Sequence, residues 1–309
     1  MISIICPFYN EEKVVPLFFT ELLKAIGSIN DKIEIICIND GSTDQTLQRI
    51  IEQKEKLSPN IKIRVLDLSR NFGKEAALTA GIDYAQGDAV IPIDTDLQDP
   101  PQLIPELVKK WREGFEVVLA KRYDRTSDTW LKRNTAQWFY KFHNKVSSTP
   151  IPENVGDFRL LSRAAVDALK QLPERERFMK GLFNWIGFKT TEIHYSRAPR
   201  PAGNSKFAAW QLWNLALDGI TSFSTVPLKI WTYIGMFISL LSFIYANFII
   251  VRTLIFGIDI PGYASLLVVI LFLGGLQLIG TGMLGEYIGR IYLESKRRPI
   301  YIIQKIYQD

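Results

Sequence analysis

Cysteine is almost missing from this 309-residue chain: Cys6 and Cys37 are the only two, and both sit in apolar runs. That excludes a disulfide scaffold and a zinc–cysteine cluster, and two buried free thiols are expected instead. Internal repeats and low-complexity stretches are missing too. No glycine-rich Walker loop and no G-x-G-x-x-G follows the first apolar run, which disfavours an NTPase or a nicotinamide dehydrogenase. Met1-Ile2-Ser3-Ile4-Ile5 has no basic leader and meets Pro7 at once, so a cytosolic N-terminal region is expected. What is present points to a folded protein. Hydrophobic residues make up 47% and charged ones 22%, which excludes disorder, and the length is roughly twice that of a typical domain.

Charge is absent from two long stretches, Ile230 to Val251 and Ile260 to Gly285. As helices rising about 1.5 Å per residue, each exceeds the roughly 30 Å hydrocarbon core of a bilayer. Trp231, Tyr233, Tyr287 and Tyr292 lie at or near their ends, where amphipathic rings favour the headgroup layer. The connecting loop carries only Arg252 and Asp259, whereas the outer flanks carry Lys229, Arg290, Lys296, Arg297 and Arg298. The bias of positive charge predicts a plasma-membrane hairpin with the large N-terminal region and the C-terminal tail both cytoplasmic.

Residues 1–205 read as alternating strands and helices. Ile2–Phe8, Ile33–Ile38, Ile63–Leu68, Ala89–Ile93 and Val117–Ala120 are short apolar runs suited to strands covered on both faces. Helical stretches are expected over Glu11–Ile26, Thr43–Lys56, Lys74–Tyr84 and Pro101–Trp111. The order predicts an α/β, Rossmann-like fold around a mostly parallel sheet, with ligands beyond the carboxyl ends of its strands.

Three of those ends are acidic: Pro7-Phe8-Tyr9-Asn10-Glu11-Glu12, Asn39-Asp40-Gly41-Ser42-Thr43-Asp44 and Asp94-Thr95-Asp96-Leu97-Gln98-Asp99. A single such carboxylate is as readily a helix cap or turn former, and Asp44 and Asp99 fit that bland role. Three acidic loops on neighbouring strands converge on one crevice. In an extended segment Asp94 and Asp96 point the same way and Gln98 continues their face, a set of hard oxygens suited to Mg²⁺ or Mn²⁺. A nucleotide bound through base and ribose, with metal on its diphosphate, is the ligand this pattern suggests.

With these residues the chain resembles the inverting glycosyltransferases of family 2, whose fold is GT-A. Pro7 to Glu11, Asn39 to Asp44 and Asp94-Thr95-Asp96 match that family's nucleotide-sugar signatures. It looks more narrowly like the polyprenyl-phosphate branch, that of dolichyl-phosphate mannosyltransferases and, nearest, bactoprenol (undecaprenyl-phosphate) glucosyltransferases. The narrower likeness rests on Arg70-Asn71-Phe72-Gly73-Lys74-Glu75, Asp94 to Pro100, Val155-Gly156-Asp157-Phe158-Arg159-Leu160, Gly203-Asn204-Ser205-Lys206 and Leu284 to Arg290. The Q-x-x-R-W motif of processive polysaccharide synthases is absent. The resemblance implies a metal-dependent transfer of glucose from UDP-glucose to undecaprenyl phosphate, giving a β-linked product. It implies that Pro7, Tyr9, Glu11 and Asp40 cradle the uridine, with Asp94 near the ribose or metal. Asp96 and Gln98 would hold the metal, Lys206 would meet a phosphate, and Asp157 would be the active-site aspartate. Another donor, GDP-mannose or UDP-aminoarabinose, is the near alternative. A transporter subunit with a nucleotide-sensing domain is the alternative of a different class.

The acceptor side of the site is read from charge. Between Lys121 and Lys145 seven basic residues face two acidic ones, interleaved with Trp130, Trp138, Phe139, Tyr140 and Phe142. This predicts an interfacial helix over about residues 130–146, and a second amphipathic segment is expected over 206–227. The two spans count against nucleic acid as the partner of these basic and aromatic residues. Arg122 and Arg133 are the candidates to grip the lipid phosphate, because a guanidinium fork matches phosphate oxygens. The domain reading is therefore a catalytic region 1–205, a linker 206–227, two spans within 228–290 (about 230–251 and 262–285) and a tail 291–309. Glycines 274, 275, 280, 282 and 285 would let the second span pack against another helix, so a homo-oligomer is expected.

Overall fold

The computed structural model describes residues 1–54, 61–123, 152, 154–172, 174–175, 177–196, 226–257 and 262–308. The expected helix over about 130–146, Arg133, Lys206 and nearly all of the 206–227 segment lie outside these residues. Eight strands form one sheet: β1 (Ile2–Phe8), β2 (Ile33–Asn39), β3 (Ile61–Leu68), β4 (Ala89–Pro92), β5 (Val117–Arg122), β6 (Val155–Ser162), β7 (Thr190–Tyr195) and β8 (Ile303–Tyr307). Their order across the sheet is β7-β5-β6-β4-β1-β2-β3-β8. β4, β1, β2 and β3 run parallel, and β5 and β7 pair in parallel. β6 is antiparallel to β4 and β5, and β8 is antiparallel to β3. The chain leaves β1 toward β2 on one side and returns to β4 on the other, so the crevice opens at the carboxyl end of β1.

The helices cover both faces. α1 (Val15–Ile26) buries Val15, Phe18, Phe19, Leu22, Ala25 and Ile26, the spacing of a single apolar stripe, against one face of the sheet. α2 (Thr46–Lys54) and α4 (Ile104–Arg112) lie on that side, with a short 3₁₀ turn at Pro101–Leu103 leading into α4. α3 (Lys74–Tyr84), α5 (Arg163–Lys170) and α6 (Met179–Trp185) close the other. Both α1 and α2 begin three or four residues later than the sequence pattern suggests, because the polar loops ahead of them bind each other. Glu11 N–H donates to Thr46 Oγ1 at 2.8 Å, and Thr43 N–H donates to Asn10 Oδ1 at 2.8 Å. Asp44 then caps α2 by accepting from Thr46 N–H at 3.0 Å.

Cys6 and Cys37 face each other across β1 and β2, both fully buried and both free. Burial pushes both thiols up.

 Thiol reagents at pH 8 are therefore expected to label neither residue in the native protein and both after denaturation, as read by intact mass.

After these elements come two long helices, α7 (Val226–Phe256, 31 residues) and α8 (Tyr263–Ser295, 33 residues). Among the described residues, one helical stretch, Leu228–Phe256, is long and apolar enough by length and composition to cross a membrane. The second expected span falls within α8. Both helices leave large apolar side chains exposed, among them Phe237, Phe243, Phe248, Leu266, Phe272 and Leu278. They meet where the Trp231 indole covers Gly280, so closely that a Cβ there would overlap the ring. α8 outlasts its apolar stretch, and its last turns carry an Arg290–Glu286 pair at 3.3 Å and Glu294, which accepts from the N–H of Arg175 at 2.7 Å. The chain then returns to the sheet as β8.

Candidate active site

The carboxyl ends of β1, β2 and β4 are joined by their own polar groups. Asn10, at φ 50°, donates its N–H to Ser42 Oγ at 3.0 Å, and Thr95 Oγ1 donates to the Pro7 carbonyl at 3.2 Å. Tyr9 and Glu11 follow β1 at this rim, where Tyr9 is 38% exposed. Asp40 follows β2 and is buried, and both of its carboxylate oxygens accept from the turn before α3: Phe72 N–H at 2.7 Å and Gly73 N–H at 3.0 Å. Burial pushes this carboxyl up against the pull of those two donors and of Arg70. The turn passes so close to Gly41 that any Cβ there would strike the Arg70 backbone, and Gly41 has a φ of +60°. Asp40 thus anchors the loop that follows β3, while each carboxylate oxygen retains a second lone pair for a ligand.

That loop delivers Lys74. Its ammonium lies 2.7 Å from Asp94 Oδ1 and 2.6 Å from Asp157 Oδ2, bridging the end of β4 to the middle of β6. Burial alone would push the Lys74 ammonium down, but Asp157 and Asp94 hold it up. Asp157 is buried, and burial works against its ionisation, yet Lys74, with Lys180 beyond it, holds the carboxyl well below the usual range. Its other oxygen, Oδ1, is buried with no hydrogen-bond partner among the described residues. Asp94 is pushed up by burial, with Lys74 opposing.

Two further charged groups back this bridge. Arg159, two residues along β6 from Asp157, is 3% exposed, donates to the Gly156 carbonyl at 2.6 Å and stacks 4.2 Å over the Phe183 ring of α6. Burial pushes its guanidinium down to about 10. Glu75 accepts from Met179 N–H, at the start of α6, at 3.1 Å, and burial together with the nearby Asp157 pushes its carboxyl up to about 7. Carboxylates at the opposite, amino end of the sheet look different. Glu34 there is buried and fully engaged by Ser3 Oγ at 2.7 Å, Gln86 N–H at 3.2 Å and Arg64 at 3.4 Å, a structural role.

The remaining expected residues are placed as follows. Asp96 accepts from Gln98 N–H at 3.1 Å across a turn in which Leu97 has a φ of 57°, so the backbone of Gln98 meets Asp96. Asp94 and Asp96 therefore do different things here, one gripping Lys74 and the other shaping the turn. Arg122 ends β5 and donates through Nε to the Tyr195 hydroxyl at 3.4 Å, with its guanidinium 3.9 Å from Asp99. The Tyr195 hydroxyl in turn donates to Asp99. Burial works against the charge on Arg122, and Tyr195 and Asp99 more than offset it.

Lys74 is the group that sequence reasoning left out of the site. A signal for it exists: a lysine opening a helix opposes the positive end of the helix dipole, a placement that needs a local reason. Arg159 had a signal too, since Asp157 and Arg159 alternate on one face of an otherwise apolar strand.

Acidic loops gathered at the switch point of a mostly parallel sheet, with antiparallel β6 closing the far side, define a GT-A-like α/β protein. Residues 3–170 match the model of glycosyl transferase family 2, and the chain belongs to that family. A bactoprenol glucosyl transferase of Shigella phage SfV is 56% identical over 303 residues, 98% of this chain and 98% of the relative. A prophage bactoprenol glucosyl transferase homolog of Escherichia coli K12 is 54% identical over 305 residues, 99% of each chain. Among solved structures, a mycobacterial protein aligns with a TM-score of 0.50 at 18% identity over 72% of each chain, a likeness of fold.

Proposed function

We propose that this protein transfers glucose from UDP-glucose to undecaprenyl phosphate with inversion, giving a β-linked polyprenyl-phosphate sugar at the cytosolic face of the membrane. One observation carries the reading: the aspartate best placed for catalysis, Asp157, is tied to Lys74 at 2.6 Å, and its lowered carboxyl is too weak a base to be matched to a hydroxyl proton. A hydroxyl acceptor needs its proton removed in the transition state. A phosphate monoester, with a second pKa of about 6, arrives largely ionised. The site suits the second kind of acceptor, and the near full-length relatives named bactoprenol glucosyl transferases support the same choice.

In this reading Pro7, Tyr9, Glu11 and Asp40 line the nucleoside end of the crevice. Asp157 Oδ1, buried and without a hydrogen-bond partner among the described residues, is matched to a hydroxyl of the glucosyl group. Lys74 holds Asp94 and Asp157 apart at fixed spacing and puts positive charge beside the departing diphosphate. Arg122 and Arg133 take the lipid phosphate, and Lys206 a diphosphate oxygen. A hard divalent cation would be held by the side-chain oxygens of Asp96 and Gln98, with Asp94, whose carboxylate is tied to Lys74, beside them. An ion held here would complete its shell with diphosphate oxygens and water. When bound, Mg²⁺ or Mn²⁺ would neutralise charge accumulating on the leaving diphosphate.

The domain reading follows: a catalytic region through residue 205, interfacial helices over about 130–146 and 206–227, two spans in α7 and α8, and a cytosolic tail. The polyprenyl chain stays in the bilayer while its phosphate enters the crevice, and glycines 274, 275, 282 and 285 of α8 pack against a second copy, Gly280 being covered by Trp231 of the same chain. The test is incorporation of radiolabel into lipid by purified protein given undecaprenyl phosphate and a panel of nucleotide sugars. UDP-glucose is expected to give a labelled lipid, EDTA to stop the reaction and added Mg²⁺ or Mn²⁺ to restore it. Label entering lipid from another donor alone, or no lipid product from any donor, would refute the assignment.

A further inference from the structure

The family model ends at residue 170, yet the sheet is completed by residues 303–307, which lie beyond both long helices. β8 pairs with the edge of β3, Val65 with Tyr307 and Leu66 with Ile306, and the register shifts between Asp67 and Leu68. Just past that shift, Ser69 N–H donates to the Ile302 carbonyl at 3.0 Å. Tyr301, Ile303 and Ile306 pack against the core on the α3 side, and the Tyr301 hydroxyl donates to Asp83 of α3 at 2.9 Å. Without β8, β3 would be an open edge strand.

The position of this strand matters because of what begins at Ser69. The next residues are the loop whose Phe72 and Gly73 N–H groups grip Asp40, and which ends in Lys74. Upstream, the same tail is fastened to the end of α8. Glu294 accepts from the N–H of Arg175, and the Arg298 carbonyl accepts from the Arg175 guanidinium. An unbroken line of contacts therefore runs from α8 through the tail to the loop that carries Lys74.

We propose that the segment 299–308 is a positioning element for the crevice: β8 and the Ile302 carbonyl fix the Ser69–Gly73 loop, and through it Lys74, relative to α8. The tail acts on the reaction through that loop and touches no substrate. Misplacement of a catalytic constellation by about 1 Å costs up to about a hundredfold in rate, so a loosened loop has a measurable effect. The inference rests on the crevice being the catalytic site, and two readouts keep the ideas apart.

The variant is Ile306→Asp in the full chain, which places a charge where Ile306 packs against the core. At a temperature where circular dichroism shows it folded, its kcat is expected to fall about tenfold. Amide hydrogen exchange across residues 69–74 is expected to quicken, a change that does not depend on any turnover. Ile306→Val is expected to match the parent in both, and a synthetic peptide of residues 299–309 to restore both in the aspartate variant. If Ile306→Asp fails to fold, Ile306→Ala is read in the same way, with a loss of about threefold expected. Unchanged exchange across 69–74 in a folded variant would overturn the proposal, as would unchanged kcat in a parent that makes glycolipid. A parent that makes no glycolipid would refute the functional reading instead, and the exchange result would still decide this one.

Discussion

Substituting Lys74 by methionine is expected to lower kcat/KM by about a hundredfold to a thousandfold, the scale of removing one preorganised charge from a transition state. The substitution preserves length and apolar stem but deletes the one group that, among the described residues, contacts both Asp94 and Asp157. Those two carboxylates then face one another without the cation between them. Removing one partner from a fully buried pair costs about 3–5 kcal/mol, but the Lys74 side chain is 43% exposed, so a loss nearer about 1–2 kcal/mol is expected. The sign of the pH dependence follows from Asp157. Its carboxyl is held low in the folded protein, so its contribution to stability is present above the ordinary aspartate range and is lost as pH falls through the lowered value. In the variant that contribution is gone. The difference in melting temperature between parent and variant should be largest near neutrality and close in strong acid. A double variant, Lys74→Met with Asp157→Asn, should recover stability without recovering activity, because it removes the unpaired charge and also the group the charge was holding. Wild-type kcat/KM in Lys74→Met would show that the bridge is only a fold contact.

How much of this was visible beforehand depended on whether a residue's partners lay nearby. β1 and α3 have the bounds read from the sequence, Ile2–Phe8 and Lys74–Tyr84. An apolar run buried on both faces defines the first, and Gly73, at φ 96°, stops the chain ahead of the second. α1 and α2 start later than the pattern predicts because Asn10 bonds Thr43 and Glu11 bonds Thr46 across two loops far apart in sequence, which no local pattern records. β6 was overlooked as a strand because Asp157 and Arg159 interrupt its apolar character, and it joins the sheet through antiparallel pairing with β4 and β5. β8 was invisible for a stronger reason: its partner, β3, lies more than two hundred residues earlier. In the site, the acidic strand ends were legible as a group, but their division of labour was not. The sequence offers Asp40 as part of the uridine cradle but does not record that it also anchors the turn at Phe72 and Gly73, and the Lys74 bridge exists only once β4, β6 and α3 are assembled.

Asp157→Asn is expected to reduce kcat by about a hundredfold to a thousandfold while leaving the shape of its pH profile unchanged. The two parts of that expectation have different causes. The fall in rate comes from losing the negative charge that fixes Lys74 at 2.6 Å, and from disturbing Oδ1, the atom assigned to a sugar hydroxyl. The unchanged shape comes from the direction in which Lys74 moves the carboxyl. A group ionised throughout the working range contributes no limb to the profile, so its removal deletes none. The rise in rate with pH should instead follow the second ionisation of the acceptor phosphate, at about 6, in parent and variant alike. An acceptor whose phosphate is replaced by a more acidic fluorinated phosphonate separates the two assignments. The rising limb should move to lower pH by the same amount in both proteins. Were Asp157 the base, the variant's rate would climb back toward the parent's at high pH.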